Sequence, residues 1–336
     1  MRTQWSGAVL AALALACQVA AADAPAAPSW KWGGDVRLRA DIKTFNHGAN
    51  KEAVNTRLRV GASGATADGK VSWGAQVATA AGKATSRNVD IGGGNLGGKP
   101  EVGVDLAWFA VHPSKRISLV LGKMKNPFTS SDAIFDGDLT PEGIAVNCVV
   151  PVGGKSGVVK KLSNSAAYFV LDSTSPFKGV FLGDQLRATL GPVDTALAIY
   201  HFNKVPSIGG ITVVDARAAA ALPTGKAFPV TLSGEFFHNI SEKNRASAWE
   251  LRADLAKVGP GKANLTYRQV GLNSTYSAWV DSDLGERTGY KTGLRAEYSQ
   301  PVYKAVVLRA AWYHYDPMGN GVKSTNRFMV DASTKF

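Results

Sequence analysis

The chain has 336 residues and a formal net charge of +12; 45% of its residues are apolar and 19% charged, and its mean hydropathy is -0.06. After residue 22 there is no run of roughly 18 apolar residues, which excludes a bundle of membrane-spanning helices, and the apolar content excludes a disordered chain. Neither test touches a transmembrane β-barrel, whose alternating strands cancel in an average.

The N-terminus reads as an export signal over residues 1–22. Arg2 supplies the positive start, Gly7 to Ala16 an apolar stretch, and Ala20-Ala21-Ala22 a small-residue cleavage site before Asp23. A buried N-terminal helix is the bland alternative. Ala14-Leu15-Ala16-Cys17 is a poor lipoprotein motif, because Leu15 is bulky for that site. Cleavage removes Cys17 and leaves Cys148 alone, so neither an internal disulfide nor a multi-thiolate metal site is expected. The positive charges are scattered singly, and an exported chain rarely meets nucleic acid, so no nucleic-acid partner is expected. Where the charges point matters more than their sum.

Residues 23–336 read as a single domain of strands. From Trp30 to Lys43 every charge is on an odd position (Lys31, Asp35, Arg37, Arg39, Asp41, Lys43), and the even positions carry Trp30, Trp32, Val36, Leu38 and Ile42. Period 2 is the mark of a strand with one apolar and one polar face. The same rhythm predicts strands at 30–43, 55–66, 70–81, 102–112, 116–125, 143–152, 165–173, 181–190, 195–203, 209–217, 228–239, 247–257, 262–270, 288–299, 302–314 and 326–336. Short turns are expected at 67–69, 113–115, 191–194, 258–261 and 300–301. Longer loops are expected at 44–54, 82–101, 126–142, 174–180, 240–246, 271–287 and 315–325. Arg217 to Leu222 and Ala246 to Val258 also pass for short helices on propensity alone. The last strand ends on Phe336, in phase with Phe328, Val330 and Ala332.

An antiparallel sandwich would alternate in the same way. Three features favour a barrel in lipid: a polar face rich in arginine, glycine and serine; short turns alternating with long polar loops; and the aromatic terminus in phase with the apolar face. The expected fold is therefore all-β, an up-and-down antiparallel transmembrane barrel of about sixteen strands, wide enough to hold a water-filled lumen.

The loop 126–142 stands out, with Asp132, Asp136, Asp138 and Glu142 close together in a basic chain. Their spacing and the position of the glycine do not fit a calcium loop. The reading preferred is a segment that folds into the lumen and sets its acids against a basic wall, giving a transverse field that sorts solutes. The bland reading is a solvated surface loop. The basic wall would come from the seam where the last strand meets the first: Arg37, Arg39, Arg57, Arg59, Arg295, Arg309 and Arg327. Its bland reading is that these arginines simply pair with Asp35, Asp41, Glu297 or Asp331. Enzyme signals are weak. Gly154-Lys155-Ser156 lacks the upstream glycine of a phosphate loop, and the glycines at 92–94 and 97–98 lack a strand–helix context. His47, His112, His201, His238 and His314 lack metal-ligand spacing. No metal, cofactor or catalytic residue is expected.

Several blocks resemble the bacterial "putative porin" family of Gram-negative outer membranes. They are Trp32-Gly33-Gly34-Asp35-Val36-Arg37-Leu38-Arg39, Thr56-Arg57-Leu58-Arg59-Val60-Gly61, Leu121-Gly122-Lys123-Met124-Lys125-Asn126-Pro127-Phe128 and Phe135-Asp136-Gly137-Asp138-Leu139-Thr140-Pro141-Glu142-Gly143. Weaker echoes are Tyr168-Phe169-Val170-Leu171-Asp172 and Glu235-Phe236-Phe237-His238-Asn239. After Leu171-Asp172 the family's further acid is replaced by Ser173, and no role is carried over there. The resemblance implies an outer-membrane porin barrel with Phe336 as its C-terminal signature and, by similarity to general porins, a homotrimer. It names no substrate. The expected function is a water-filled channel for passive diffusion of small hydrophilic solutes or ions, anions favoured. The alternatives are a substrate-specific channel and a non-channel barrel, either an enzyme or a surface protein.

Overall fold

The computed structural model describes residues 29–45, 50–80, 84–91, 101–152, 157–171, 179–205, 209–225, 227–281, 283, 291–317 and 324–336. The export signal, His47, the glycines at 92–94 and 97–98, Gly154-Lys155-Ser156 and Asp172-Ser173 lie outside them.

Seventeen strands form one antiparallel sheet. They are β1 (Ser29–Phe45), β2 (Lys51–Ala65), β3 (Val71–Thr79), β4 (Val89–Asp90), β5 (Val102–Ser114), β6 (Ile117–Lys123), β7 (Glu142–Val150), β8 (Val159–Val170) and β9 (Val180–Leu190), followed by β10 (Val193–Val205), β11 (Gly209–Ala221), β12 (Val230–Asn239), β13 (Ser247–Val258), β14 (Gly261–Val270), β15 (Lys291–Tyr303), β16 (Val306–Pro317) and β17 (Thr325–Lys335). With β4 set aside, each pairs with the next in sequence, β3 with β5, and β17 returns to β1, from Asp35↔Lys335 to Phe45↔Thr325. Sixteen strands make the closed barrel. The two-residue β4 is an addition. It pairs with Asn55 and Thr56 of β2 beyond the end of β3, where β2 would otherwise present a bare edge.

The barrel is inside-out relative to a water-soluble sandwich. Its exposed positions are the apolar parity: Trp30 is 68% exposed and Leu197 61%, with Leu38, Val60, Val77, Leu251, Leu308 and Val330 on the same surface. The opposite parity is buried and charged, as at Asp35, Arg39, Arg57, Arg268, Arg295, Arg327 and Asp331. Trp30, Trp32, Trp73, Tyr303 and Phe336 gather at the short-turn rim of the outer face, and Trp32 meets Phe336 at 6.0 Å between ring centroids. Backbone bonds between Gly34 and Phe336 (3.0 and 3.1 Å) close the seam to the final residue.

Where Arg217 to Leu222 and Ala246 to Val258 also pass for short helices, the strands prevail: residues up to Ala221 lie in β11 and Ser247–Val258 is β13, because pairing along both edges satisfies more backbone than an isolated short helix could. Two expectations are corrected. The turn placed at 300–301 is at 304–305; β15 runs through Pro301, and a register shift between Pro301 and Tyr303 absorbs the missing N–H. Parity also fails twice. A bulge in β5 opposite Gln76/Val77 turns both Asp105 and Leu106 inward. Asp184 of β9 points outward beside Leu182 and Leu186, where Asn164 donates to it at 3.0 Å.

Candidate functional site: the barrel lumen and two inward segments

The seam arginines form a ladder with acids from neighbouring strands. Antiparallel register sets Asp331 opposite both Arg39 of β1 and Arg309 of β16, and both guanidiniums reach it, at 2.6 and 2.7 Å. Asp35, opposite Arg59, accepts from Arg59 (2.6 Å) and Arg57 (2.7 Å). Asp41 takes Arg327 at 2.5 Å. Glu297 takes Arg309 and lies 4.0 Å from Arg295. Six of the seven arginines thus have a carboxylate partner; Arg39, Arg59 and Arg309 meet one directly opposite in register, and the others reach one on the diagonal or along the same strand. Arg37 is the exception. It stands opposite Arg57, donates to Asn88 at 2.6 Å, and has no carboxylate partner among the described residues. Among the described residues Arg187 of β9 is likewise held by neutral groups, Thr129 (3.3 Å) and Ser165 (3.1 Å).

The segment between β6 and β7 leaves the wall at a pair of facing glycines. Gly122 (φ +111°) is opposite Gly143 (φ +154°), and a Cβ on either would sit 2.2 or 2.1 Å from a carbonyl oxygen of the next strand. Only glycine tolerates both the dihedral and the approach. Beyond them Phe128, Ile134 and Phe135 pack on the inward faces of β8, β9 and β10. Phe128 and Phe135 lie 5.2 and 5.0 Å from the Tyr200 ring, both edge-on, with Phe169, Phe181 and Phe202 around them. Polar bonds fix the register. Thr129 exchanges two 2.8 Å bonds with Gln185, and the Ser131 N–H donates to Glu235 at 2.7 Å.

The four acids of this segment divide. Asp132 bridges Arg268 of β14 (2.7 Å) and Arg295 of β15. Asp138 reaches the other side, 3.6 Å from Arg57 and 3.5 Å from Arg59 of β2. Asp136 is buried and accepts from the Asp138 N–H at 2.6 Å, an internal turn bond. Glu142 is exposed at the foot of the segment, paired with Lys123 at 2.8 Å. So the segment spans from one wall to another, held at both ends by acids.

A second segment, after β14, also enters; from sequence it reads only as a long loop. The Asp136 N–H donates to the Trp279 carbonyl (2.7 Å) and the Asp281 N–H to the Asp132 carbonyl (3.0 Å), so the two segments pair edge to edge. Trp279 caps the aromatic cluster, 5.2 Å from Phe181, and Asp283 reaches Arg39 (2.9 Å) and Arg327 (3.1 Å). The signal was present: Tyr276, Trp279, Asp281 and Asp283 repeat the aromatic-plus-acid composition of 126–142.

These carboxyls titrate in opposite senses. Burial alone would raise Asp132, but Arg268 and Arg295 outweigh it and hold it well below the usual range. Asp283 is likewise brought down to about 2, Arg39 and Arg327 outweighing its burial. Asp281 is pushed up by burial, and Asp283, Asp132 and Asp136 beside it push the same way. Depressed carboxyls contribute docking free energy that is present above the ordinary carboxylate range and lost as pH falls through their folded values. A raised carboxyl does the reverse and costs stability as pH climbs past its unfolded value. Asp281→Asn is therefore expected to raise the thermal unfolding midpoint of the detergent-folded barrel at about pH 8 and to leave it unchanged at about pH 4. An equal shift at both pH values would contradict this assignment.

The histidines pair with hydroxyls or an amide across adjacent strands, each at 2.9 Å: His112 with Ser72, His201 with Thr212, His238 with Ser247 and His314 with Asn326. Among the described residues no three His, Cys, Asp or Glu side chains gather as metal ligands.

Comparison with known proteins gives the fold independently. An engineered variant of the porin of Rhodopseudomonas blastica matches 92% of this chain and 100% of its own, with a TM-score of 0.58 and 13% identity. OprB of Pseudomonas putida matches 100% of this chain and 98% of its own, with a TM-score of 0.64 and 9% identity. OmpT of Vibrio cholerae, in its trimer form, covers 93% and is itself covered in full, with a TM-score of 0.57 and 11% identity. At such identities the likeness is one of fold. No curated protein sequence matches. Residues 21–180 match the family model described as putative porin, a stretch that holds the facing glycines, the acid-bearing segment and the first strands of the seam. Over that stretch the chain is similar to the putative porin family.

Proposed function

We propose that the protein is an outer-membrane channel for passive diffusion of small hydrophilic solutes, with a modest preference for anions, and that the segment 126–142 narrows it. The observation that carries this is the inverted barrel: an apolar exposed face to stand in lipid, and an inner wall of charges crossed by a segment bonded to both sides. The anion preference is modest because most lumen arginines are neutralised by neighbouring acids, while Arg37 and Arg187 lack carboxylate partners among the described residues. Reversal potential in a KCl gradient tests it. Asp138→Asn is expected to move the potential further toward chloride and Arg37→Ala back toward zero. A cation-selective wild type would sink the selectivity, and an absence of conductance the channel.

Assembly as a homotrimer is supported by the outer face of β8 and β9. There the Asp184–Asn164 pair breaks an apolar belt, and a carboxylate is costly against hydrocarbon. A neighbouring copy on this face would cover it. Asp184→Arg is then expected to release monomers on a semi-native gel; a trimer that survives unchanged would place the interface elsewhere.

A further inference from the structure

We propose that the lumen holds a binding site for small organic carboxylates with a flat apolar body, in the cavity between the start of the inward segment and the short-turn half of β1–β7. This rests on the channel reading. The cavity measures about 650 Å³, the size of a small-molecule site. Its wall has no side chains at Gly61 and Gly74, where neighbouring backbone and the Trp108 ring lie close against the sheet. A Cβ on Gly61 would stand 2.6 Å from the Ala75 carbonyl oxygen, and one on Gly74 2.7 Å from the indole Nε1 of Trp108, its partner in register.

Two features define the ligand. First, no Asp or Glu lines the cavity, although the rest of the lumen alternates acids with arginines; its cations are Lys31 and Lys125. Two of its lining amides are left as donors. The Asn147 side-chain oxygen accepts from Ser165 (2.7 Å), and Ser165 in turn accepts from Arg187 (3.1 Å). The Asn126 side-chain oxygen accepts from the Phe128 N–H (3.1 Å). Both amide nitrogens and the Lys125 ammonium have no acceptor among the described residues. Three donors without an acceptor fit a carboxylate. Second, Trp108, Leu106 and Val120 line the same cavity as an apolar wall, continuous with Met124 and Pro127 at the start of the inward segment, whose aromatic side chains dock elsewhere, on β8–β10. A ring on that wall with its carboxylate on Lys125, Asn126 and Asn147 satisfies both.

The test uses the full barrel and three probes: 4-hydroxybenzoate, its neutral amide, and acetate. Calorimetry on the detergent-folded protein reads binding whether or not it conducts, and current block in a planar bilayer reads it in the open channel. Saturable binding of 4-hydroxybenzoate is expected, with the amide and acetate weaker by about tenfold or more, the loss of one charge-assisted contact or of the apolar contact. Lys125→Gln and Asn147→Asp are each expected to weaken 4-hydroxybenzoate by about tenfold. Equal affinity for acid and amide, or wild-type affinity in both variants, overturns the site. A barrel that binds 4-hydroxybenzoate without conducting overturns the channel and keeps the site; one that conducts without binding does the opposite.

Discussion

Replacing Asp132 by alanine is expected to release the inward segment and to destabilise the barrel by about 3–5 kcal/mol, the cost of breaking a buried ion pair from one side. The Asp132 carboxylate is the shared acceptor of Arg268 and Arg295, whose side chains are 2% and 5% exposed. Removing it leaves two buried guanidiniums without their shared acceptor, with Glu250 and Glu297 as their remaining acids. The Asp132 backbone carbonyl, which accepts from the Asp281 N–H, moves with the released segment, so the second segment loosens with the first. Two readouts should move together: the detergent unfolding midpoint falls, and single-channel conductance rises with added noise. Asp132→Asn keeps the shape and loses the charge, so it should fall between the two. Wild-type conductance in the alanine variant would mean that the aromatic cluster alone holds the segment.

A charge on the outer face should be nearly as damaging. Ile199 sits mid-strand in β10 with its side chain outward, 48% exposed. Ile199→Arg places a guanidinium against hydrocarbon at a cost of about 2–4 kcal/mol near the midplane, whereas Ile199→Phe should be close to neutral. The measurement is folding yield into lipid vesicles and the denaturant midpoint of what folds. If arginine and phenylalanine behave alike there, this face is not in lipid. The lumen side gives the contrast: Tyr200, the next residue, is fully buried under Phe128 and Phe135.

Which way a side chain points was largely legible beforehand. In β1 the alternation of Trp30, Trp32, Val36 and Leu38 with Asp35, Arg37, Arg39 and Asp41 places every residue on the face where the structure has it. The two exceptions have local causes that a periodicity cannot carry. Asp105 turns inward at a bulge, which needs the partner strand to be defined, and there it takes Arg87 at 2.6 Å. Asp184 violates the pattern outright, and what meets it is Asn164 on the adjacent strand at 3.0 Å, a partner that only the register of β8 and β9 supplies. The turn at 304–305 was misplaced because Pro301 reads as a breaker until pairing shows an edge that tolerates it. Gly122 and Gly143 sit in the sequence blocks that resemble the family, yet nothing local says that they face each other and turn the chain inward.

Partnerships are where sequence alone stopped. Seven arginines and their candidate acids were visible, but not that Arg39 would share Asp331 with Arg309 while Arg37 kept none among the described residues. Likewise 126–142 was conspicuous for its acids, whereas 271–283 was overlooked although it supplies Trp279 and Asp283 to the same assembly. Strand existence, facing and polarity follow from a period of two, a property each segment carries by itself. Partner choice does not, because Arg39 and Asp331 are 292 residues apart and Asp132 and Arg295 are 163 apart. Barrel closure and register bring them together, and those are set by all sixteen strands at once.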